Sequence, residues 1–319
     1  MPLTFDLSFE QLQTYGGRNP RPEDHDAYWA RALAALAAQP DKAEFKPAAQ
    51  KARGARLDHL YFTGVGGSRV HAKLARPLGA AKGPAVVLFH GYSGDSGDWF
   101  DLLSWVGQGF TVASLDCRGQ GGWSEDRSSV KGTTMRGHII RGLDDHPDQL
   151  LYRQLFLDTA QLARLVMALP EVDPDRVGAS GWSQGGGLTL ACAALEPRIR
   201  RAAPVYPFLS DYQRVWEMDL AKDAYEELAY FFRTADPEHV REKELFTKLG
   251  YIDIQHLAAR IRGEVMLTVG LRDTICPPST QFATYNKITA PKQLVVLPDF
   301  GHEHLPRMRD KILTFMLGL

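Results

Sequence analysis

The sequence predicts an α/β protein: eight strands in a mostly parallel, doubly wound sheet with helices on both faces. Three observations carry this. Short continuous apolar runs stand at Ala85–Phe89, Phe110–Leu115, Arg176–Ala179, Ala202–Tyr206, Val265–Val269 and Gln293–Leu297. Runs rich in Val and Leu, without alternation, are what strands covered on both faces require. Helical patterns separate them, at Trp99–Gly107, Leu151–Leu169, Gln184–Leu195, Pro278–Ile288 and Leu305–Leu317, and strand–helix alternation implies βαβ units. Finally, Asp58–Thr63 and Arg69–Arg76 flank the turn Gly64-Val65-Gly66-Gly67 and predict a hairpin, which supplies the other two strands.

The 319 residues read as a single domain with two additions. Residues 1–50 form an N-terminal extension. Within it Tyr28, Trp29, Leu33 and Leu36 recur at helical spacing between Glu23 and Ala38, ahead of Pro40. Residues 211–260 break the strand–helix rhythm and are rich in aromatics (Tyr212, Trp216, Tyr225, Tyr230, Phe231, Phe232). They read as a helical insertion over the C-terminal edge of the sheet.

Composition excludes several classes of protein. Hydrophobic residues make up 44% and charged residues 24%, an ordinary globular balance. The 37 basic and 38 acidic residues leave a net charge of -1, which points to neither nucleic acid nor an anionic membrane as partner. Cys117, Cys192 and Cys276 cannot all pair within one chain and read as free thiols in a reducing compartment. No pair of them has zinc-ligand spacing, so no metal is expected. The first residues lack the basic and apolar regions of a signal peptide, and no apolar run approaches the roughly 20 residues that span a bilayer. A cytoplasmic location is the expectation.

The sharpest chemical signal is Gly181-Trp182-Ser183-Gln184-Gly185, followed by Gly186 and Gly187, between a predicted strand and a predicted helix. G-x-S-x-G in that setting is the nucleophile elbow of the α/β-hydrolase fold, whose strand number and order the chain matches. A serine on so sharp a turn projects its hydroxyl from the sheet edge. The helix behind it directs partial positive charge toward a developing oxyanion.

The remaining parts follow in the order Ser, acid, His. Asp273 stands just past the strand Val265–Val269, where an acid reaches the catalytic edge. His302 lies on the loop after Gln293–Leu297. Ser183 would attack an ester carbonyl, His302 would take and return the proton, and Asp273 would hold the imidazole tautomer. Asp299 is the rival acid, but three residues before His302 it reads as a turn residue. His304 reads as leading into the last helix. The oxyanion hole would use the backbone N–H of Tyr92, in His90-Gly91-Tyr92-Ser93-Gly94, with that of Gln184. Arg118, in Arg118-Gly119-Gln120-Gly121, is assigned to bracing nearby loops by forking onto a carboxylate or carbonyls. Tyr206 and Pro207 are candidates for shaping the acyl side of a substrate pocket.

With these residues laid out, the chain resembles the acetyl xylan esterase / cephalosporin C deacetylase family, carbohydrate esterase family seven. The resemblance rests on Arg118-Gly119-Gln120-Gly121, Gly181-Trp182-Ser183-Gln184-Gly185, the run from Gly270 to Thr280 around the candidate acid, His302-Glu303, and His90-Gly91-Tyr92. It implies a deacetylase of small acetylated sugars such as xylo-oligosaccharides, acting also on cephalosporin C. It further implies structural support from Gly119, Gln120, Gly121 and Glu303, no cofactor, and a homohexamer with inward-facing sites. Trp182 departs from the smaller residue that the resemblance leads one to expect there. The motifs leave a broad short-chain carboxylesterase, a thioesterase, a serine peptidase and a non-catalytic binding module as the alternatives.

Overall fold

The structure is a computed structural model that describes residues 5–40, 42–79, 82–131 and 137–319. Its strands are β1 (Glu44–Pro47), β2 (Ala55–Thr63), β3 (Arg69–Pro77), β4 (Gly83–Phe89), β5 (Thr111–Leu115), β6 (Val172–Trp182), β7 (Arg201–Val205), β8 (Glu264–Gly270) and β9 (Lys292–Leu297). Its α-helices are α1 (Phe9–Thr14), α2 (His25–Ala38), α3 (Trp99–Val106), α4 (Leu151–Met167), α5 (Gln184–Leu195), α6 (Tyr212–Glu217), α7 (Glu226–Ala235), α8 (Glu242–Leu249), α9 (Pro278–Lys287) and α10 (Met308–Met316).

The strands form one nine-stranded sheet in the order β1-β2-β3-β5-β4-β6-β7-β8-β9. From β5 to β9 neighbours run parallel, whereas β1, β2 and β3 join antiparallel at one edge. This corrects the expected eight strands to nine. The added strand is β1, Glu-Phe-Lys-Pro, and all four of its residues are exposed. An edge strand that buries nothing has no apolar pattern to read, and a proline and a lysine are what such an edge tolerates. The six-residue α1 was likewise unexpected. It is held by a capping box in which Ser8 and Gln11 exchange side-chain and backbone hydrogen bonds.

Apolar side chains fill both faces of the sheet. On one face α4, α5 and α9 cover a large core that includes Val87, Leu115, Ala179 and Leu267. On the other, α3 and α10 cover Val86, Val112, Ala203 and Met266. Successive residues Val86 and Val87 thus face opposite cores, as the two-residue repeat of a strand dictates. The N-terminal helices belong to the first face. Trp29 of α2 stacks on Phe156 of α4 with ring centroids 5.9 Å apart, and its indole N–H donates to the carbonyl of Tyr251 at 3.0 Å. One buried side chain therefore joins the N-terminal segment, the main layer and the helical segment after β7.

This topology fixes where a site can form. The chain steps from β4 to β5 on one side and then crosses to β6 on the other, so the loops leaving β4 and β6 diverge at a switch point. In open α/β sheets that crevice, at the carboxyl ends of the strands, is where ligands bind. Phe89 pairs with Gly181 at the end of this strand pair.

Candidate active site

Gly181-Trp182-Ser183-Gln184-Gly185 links β6 directly to α5. Ser183 sits at φ 58° and ψ -119°, a region that non-glycine residues rarely occupy. Crowding shows why glycines flank it. A Cβ on Gly185 would lie 2.0 Å from the carbonyl oxygen of Phe89, and one on Gly181 would lie 2.6 Å from the same oxygen. The strained turn is over-determined. The Ser183 N–H donates to Val205, and the Ser183 carbonyl accepts from Gly187 and Phe208, all at 3.0 Å.

His302 comes to this serine on the loop after β9. Its Nε2 is 2.9 Å from the Ser183 Oγ, and its Nδ1 is 2.8 Å from an Asp273 carboxylate oxygen. Asp273 is wholly buried, and its other oxygen accepts the N–H groups of Ile275 and Cys276 at 2.9 and 2.8 Å. Those two donors hold the carboxylate so that its free oxygen faces the ring. Asp299 takes no part: it is exposed and lies 3.9 Å from Arg272. His304 is also exposed, and α10 begins only at Met308, so the expected helix from Leu305 starts three residues late. Glu303 supports the loop twice: its side chain accepts the Gly301 N–H at 3.0 Å, and its carbonyl accepts the Tyr206 hydroxyl at 3.2 Å.

The loop after β4 is held from several directions. The side-chain amides of Gln120 and Gln184 bond each other reciprocally, at 2.9 and 3.0 Å. Gln184 also donates to the carbonyls of His90 and Gly91, and Tyr152 donates to Gln184 at 2.7 Å. Gln120 accepts the Ser93 N–H at 2.9 Å, and the Gly121 N–H donates to Gly94 at 3.0 Å. Asp116 accepts the Ser96 N–H at 2.6 Å. His90 donates from Nδ1 to the Gly91 carbonyl and accepts the Cys117 N–H at Nε2, which fixes one neutral tautomer; burial keeps its pKa below the usual histidine value. Among the described residues, the backbone N–H groups of Tyr92 and Gln184 take no hydrogen-bond partner within the protein. Such spare donors are what an oxyanion site requires.

Arg118 forks onto Asp158 of α4 with two bonds of 2.6 Å and donates to the Val65 carbonyl at 2.8 Å. Both side chains are buried. A Cβ on Gly64 would lie 2.0 Å from the guanidinium, so the hairpin turn is cut to fit it. Tyr206 packs beside His302. It is buried with its ring 4.4 Å from that of His302 and 5.5 Å from that of Trp182, and Pro207 is buried where the elbow's Gly186 passes. The Trp182 side chain points toward α3 and α10, where it walls a cavity of about 460 Å³ with Phe100, Trp105 and Leu313. Its bulk is accommodated on that side of the sheet.

Asp273, Cys276 and His302 offer ligand atoms within 4.8 Å of one another, and they are the one such group among the described residues. Asp273 and His302 are already bonded to each other, and burial pushes the Cys276 thiol well above its ordinary pKa. Both features favour a protonated, metal-free arrangement. The residues that sequence reasoning missed are Tyr152, Asp158 and Glu227, each a buried polar partner of a residue in the site. Glu227 stands beside Glu226 in the aromatic run Tyr225-Glu226-Glu227-Leu228-Ala229-Tyr230-Phe231-Phe232, and nothing in that run marks which acid is buried.

A parallel sheet with a serine elbow, a histidine loop after the last strand and a buried acid after the strand before it defines an α/β hydrolase. The chain belongs to the acetyl xylan esterase (AXE1) family, whose model matches residues 1–319. It is similar to acetyl xylan esterase 1 from Thermoanaerobacterium sp. JW/SL YS485, at 55% identity and a TM-score of 0.97, over 98% of this chain and 99% of that one. It is also similar to the acetyl xylan esterase from Paenibacillus sp. R4, at 33% identity and a TM-score of 0.93, again over 98% and 99%. Among curated proteins, acetyl esterase Axe7A of Xylanibacter ruminicola is 31% identical over 171 residues, 52% of this chain. The matched part spans only 36% of that relative. Among the described residues no helix is long and apolar enough to cross a membrane.

Proposed function

We propose that the protein removes acetyl groups from small acetylated carbohydrates, such as xylo-oligosaccharides, through an acyl-enzyme on Ser183. His302 takes the Ser183 proton as the hydroxyl adds to the ester carbonyl, and the tetrahedral oxyanion is met by the N–H groups of Tyr92 and Gln184. The proton then passes to the leaving sugar hydroxyl, leaving an acetyl ester on Ser183. Water deprotonated by His302 attacks that ester, and the proton returns from His302 to the Ser183 oxygen as acetate leaves. Asp273 keeps the proton of the resting imidazole on Nδ1 and offsets the imidazolium charge. The observation that carries this reading is the continuous run of hydrogen bonds from Asp273 through His302 to Ser183.

The acetyl-sugar assignment rests on family membership and on the similarity to two acetyl xylan esterases across nearly the whole chain. Cephalosporin C carries an acetyl ester of the same kind and is included as a substrate. A series of p-nitrophenyl acetate, butyrate and octanoate tests the acyl preference. Acetate is expected to turn over fastest and octanoate slowest, and the reverse order rejects an acetyl enzyme in favour of a broad carboxylesterase. Acetylated xylo-oligosaccharides and cephalosporin C, followed by acetate release, then test the alcohol side. We also propose a homohexamer, on the ground of family membership. Light scattering is expected to give six times the chain mass, and a monomer mass independent of concentration rejects it.

A further inference from the structure

We propose that Glu227 is a positioning residue of the oxyanion hole, through which the helical segment after β7 holds the loop that carries the Tyr92 N–H. This rests on the reading of Tyr92 as an oxyanion donor. Glu227 lies in the first turn of α7 and is 4% exposed. One carboxylate oxygen accepts the Tyr92 hydroxyl, and the other accepts the Ile140 N–H at 2.9 Å. The Tyr92 oxygen in turn accepts the His138 N–H at 3.3 Å. The fit leaves no slack, because a Cβ on Gly137 would lie 2.5 Å from the second Glu227 oxygen.

The Tyr92 ring is fixed as well. It meets Phe208 edge-on at 5.8 Å and tilts against His138 at 4.7 Å. Phe208 donates its N–H to the Ser183 carbonyl at 3.0 Å, so the ring that anchors the Tyr92 backbone is referenced to the nucleophile itself. An oxyanion donor works only when it is aimed beforehand, and a displacement well under an ångström forfeits much of its effect. Tyr92 is a loop residue, so the aim of its N–H is inherited from whatever holds its side chain. Glu227 supplies that hold from a different part of the chain.

The chemistry favours the anion for this task. The groups that meet the carboxylate are donors: the Tyr92 O–H and the Ile140 N–H. A proton on either oxygen, or the amide nitrogen of a glutamine, sets a donor against a donor. Burial opposes the charge and pushes the Glu227 carboxyl up to about 7. The other titratable groups facing it are Tyr92, His138, Tyr152 and Tyr212. Below about pH 7 the carboxyl takes a proton and one donor loses its acceptor. Above it both bonds form.

The test is the pH dependence of kcat and KM for p-nitrophenyl acetate in the native protein, Glu227→Gln, Tyr92→Phe and the double variant. Glu227→Gln is expected to lower kcat about tenfold at pH 8, with KM within twofold, since a donor that acts only in the transition state is misaimed. The double variant is expected to fall no further, because both changes cut the same link. The acid limb of kcat/KM is expected to be steeper than one proton in the native protein and to follow a single proton in Glu227→Gln. A kcat within twofold of native, losses that multiply in the double variant, or an unchanged acid limb each overturn the proposal. If Glu227→Gln does not fold, Tyr92→Phe decides alone: a lower kcat with the altered acid limb supports the proposal, and a native profile overturns it. Ser183→Ala separates the two readings. If it abolishes turnover while Glu227→Gln does not lower it, only the positioning role is lost. If Ser183→Ala stays active, the esterase site itself is wrong.

Discussion

Ser183→Ala is expected to lower kcat/KM for acetyl esters by roughly 10⁴-fold or more, while the folded protein stays as stable as the native one. The size follows from the geometry. Removing the Oγ leaves His302 with no hydroxyl to deprotonate, and only water, less well placed, can attack. The spare N–H groups near the elbow remain, so a residual rate above the uncatalysed one should survive. His302→Ala is expected to fall to about the same residual level, and the double variant no further, because the two side chains act as one unit across a single 2.9 Å contact. Steady-state kinetics with p-nitrophenyl acetate and circular dichroism on the same preparations measure both halves of this expectation. A Ser183→Ala rate within tenfold of native would remove this serine from the chemistry.

The second large effect is on stability. Arg118→Ala is expected to destabilise the fold by about 3–5 kcal/mol, because it strands the Asp158 carboxylate in the core without its cation. Asp158 is 0% exposed, and burial already holds its pKa above the usual carboxylate value despite the Arg118 charge beside it. The isosteric replacement of both partners, Arg118→Met with Asp158→Leu, is expected to recover most of that loss, since a well-packed apolar pair avoids desolvating two charges. Urea unfolding of the native protein and the two variants measures this. Equal destabilisation in the single and double variants would show that the guanidinium's bond to the Val65 carbonyl, not the ion pair, carries the effect. Activity in the double variant then reports how far the loop from Cys117 to Gly121 depends on the fork to hold Gln120 against Gln184.

The residues proposed to do the chemistry and the residues that hold them were not equally legible. Ser183, Asp273 and His302 each sit just beyond a strand end, and strands of a parallel sheet deliver their ends to one edge. Their order along the chain was therefore enough to predict that they meet. Asp158 gave no such sign. It lies in the middle of α4, 40 residues from Arg118, and looks like any polar position on a helix. Glu227 and Tyr92 are 135 residues apart, and no periodicity links them. The sheet was read correctly where strands are buried on both faces, as at β4, β5 and β7. It was missed at β1, where nothing is buried. Tyr206 was read from the sequence only as a candidate for shaping the acyl side of a pocket. The direction its ring takes depends on a φ of 32° that composition does not announce.

That ring has a consequence for turnover. On the proposed cycle His302 becomes a cation for as long as the tetrahedral species lasts, and its ring then lies 4.4 Å from the Tyr206 centroid. The electron-rich face of a phenol draws a nearby positive charge through its quadrupole, an attraction worth about 0.5–2 kcal/mol. Neutral imidazole gains little from it. Tyr206 thus offers a contact that strengthens only when the proton has moved, and its own hydroxyl, bonded to the Glu303 carbonyl at 3.2 Å, ties the ring to the loop that carries His302.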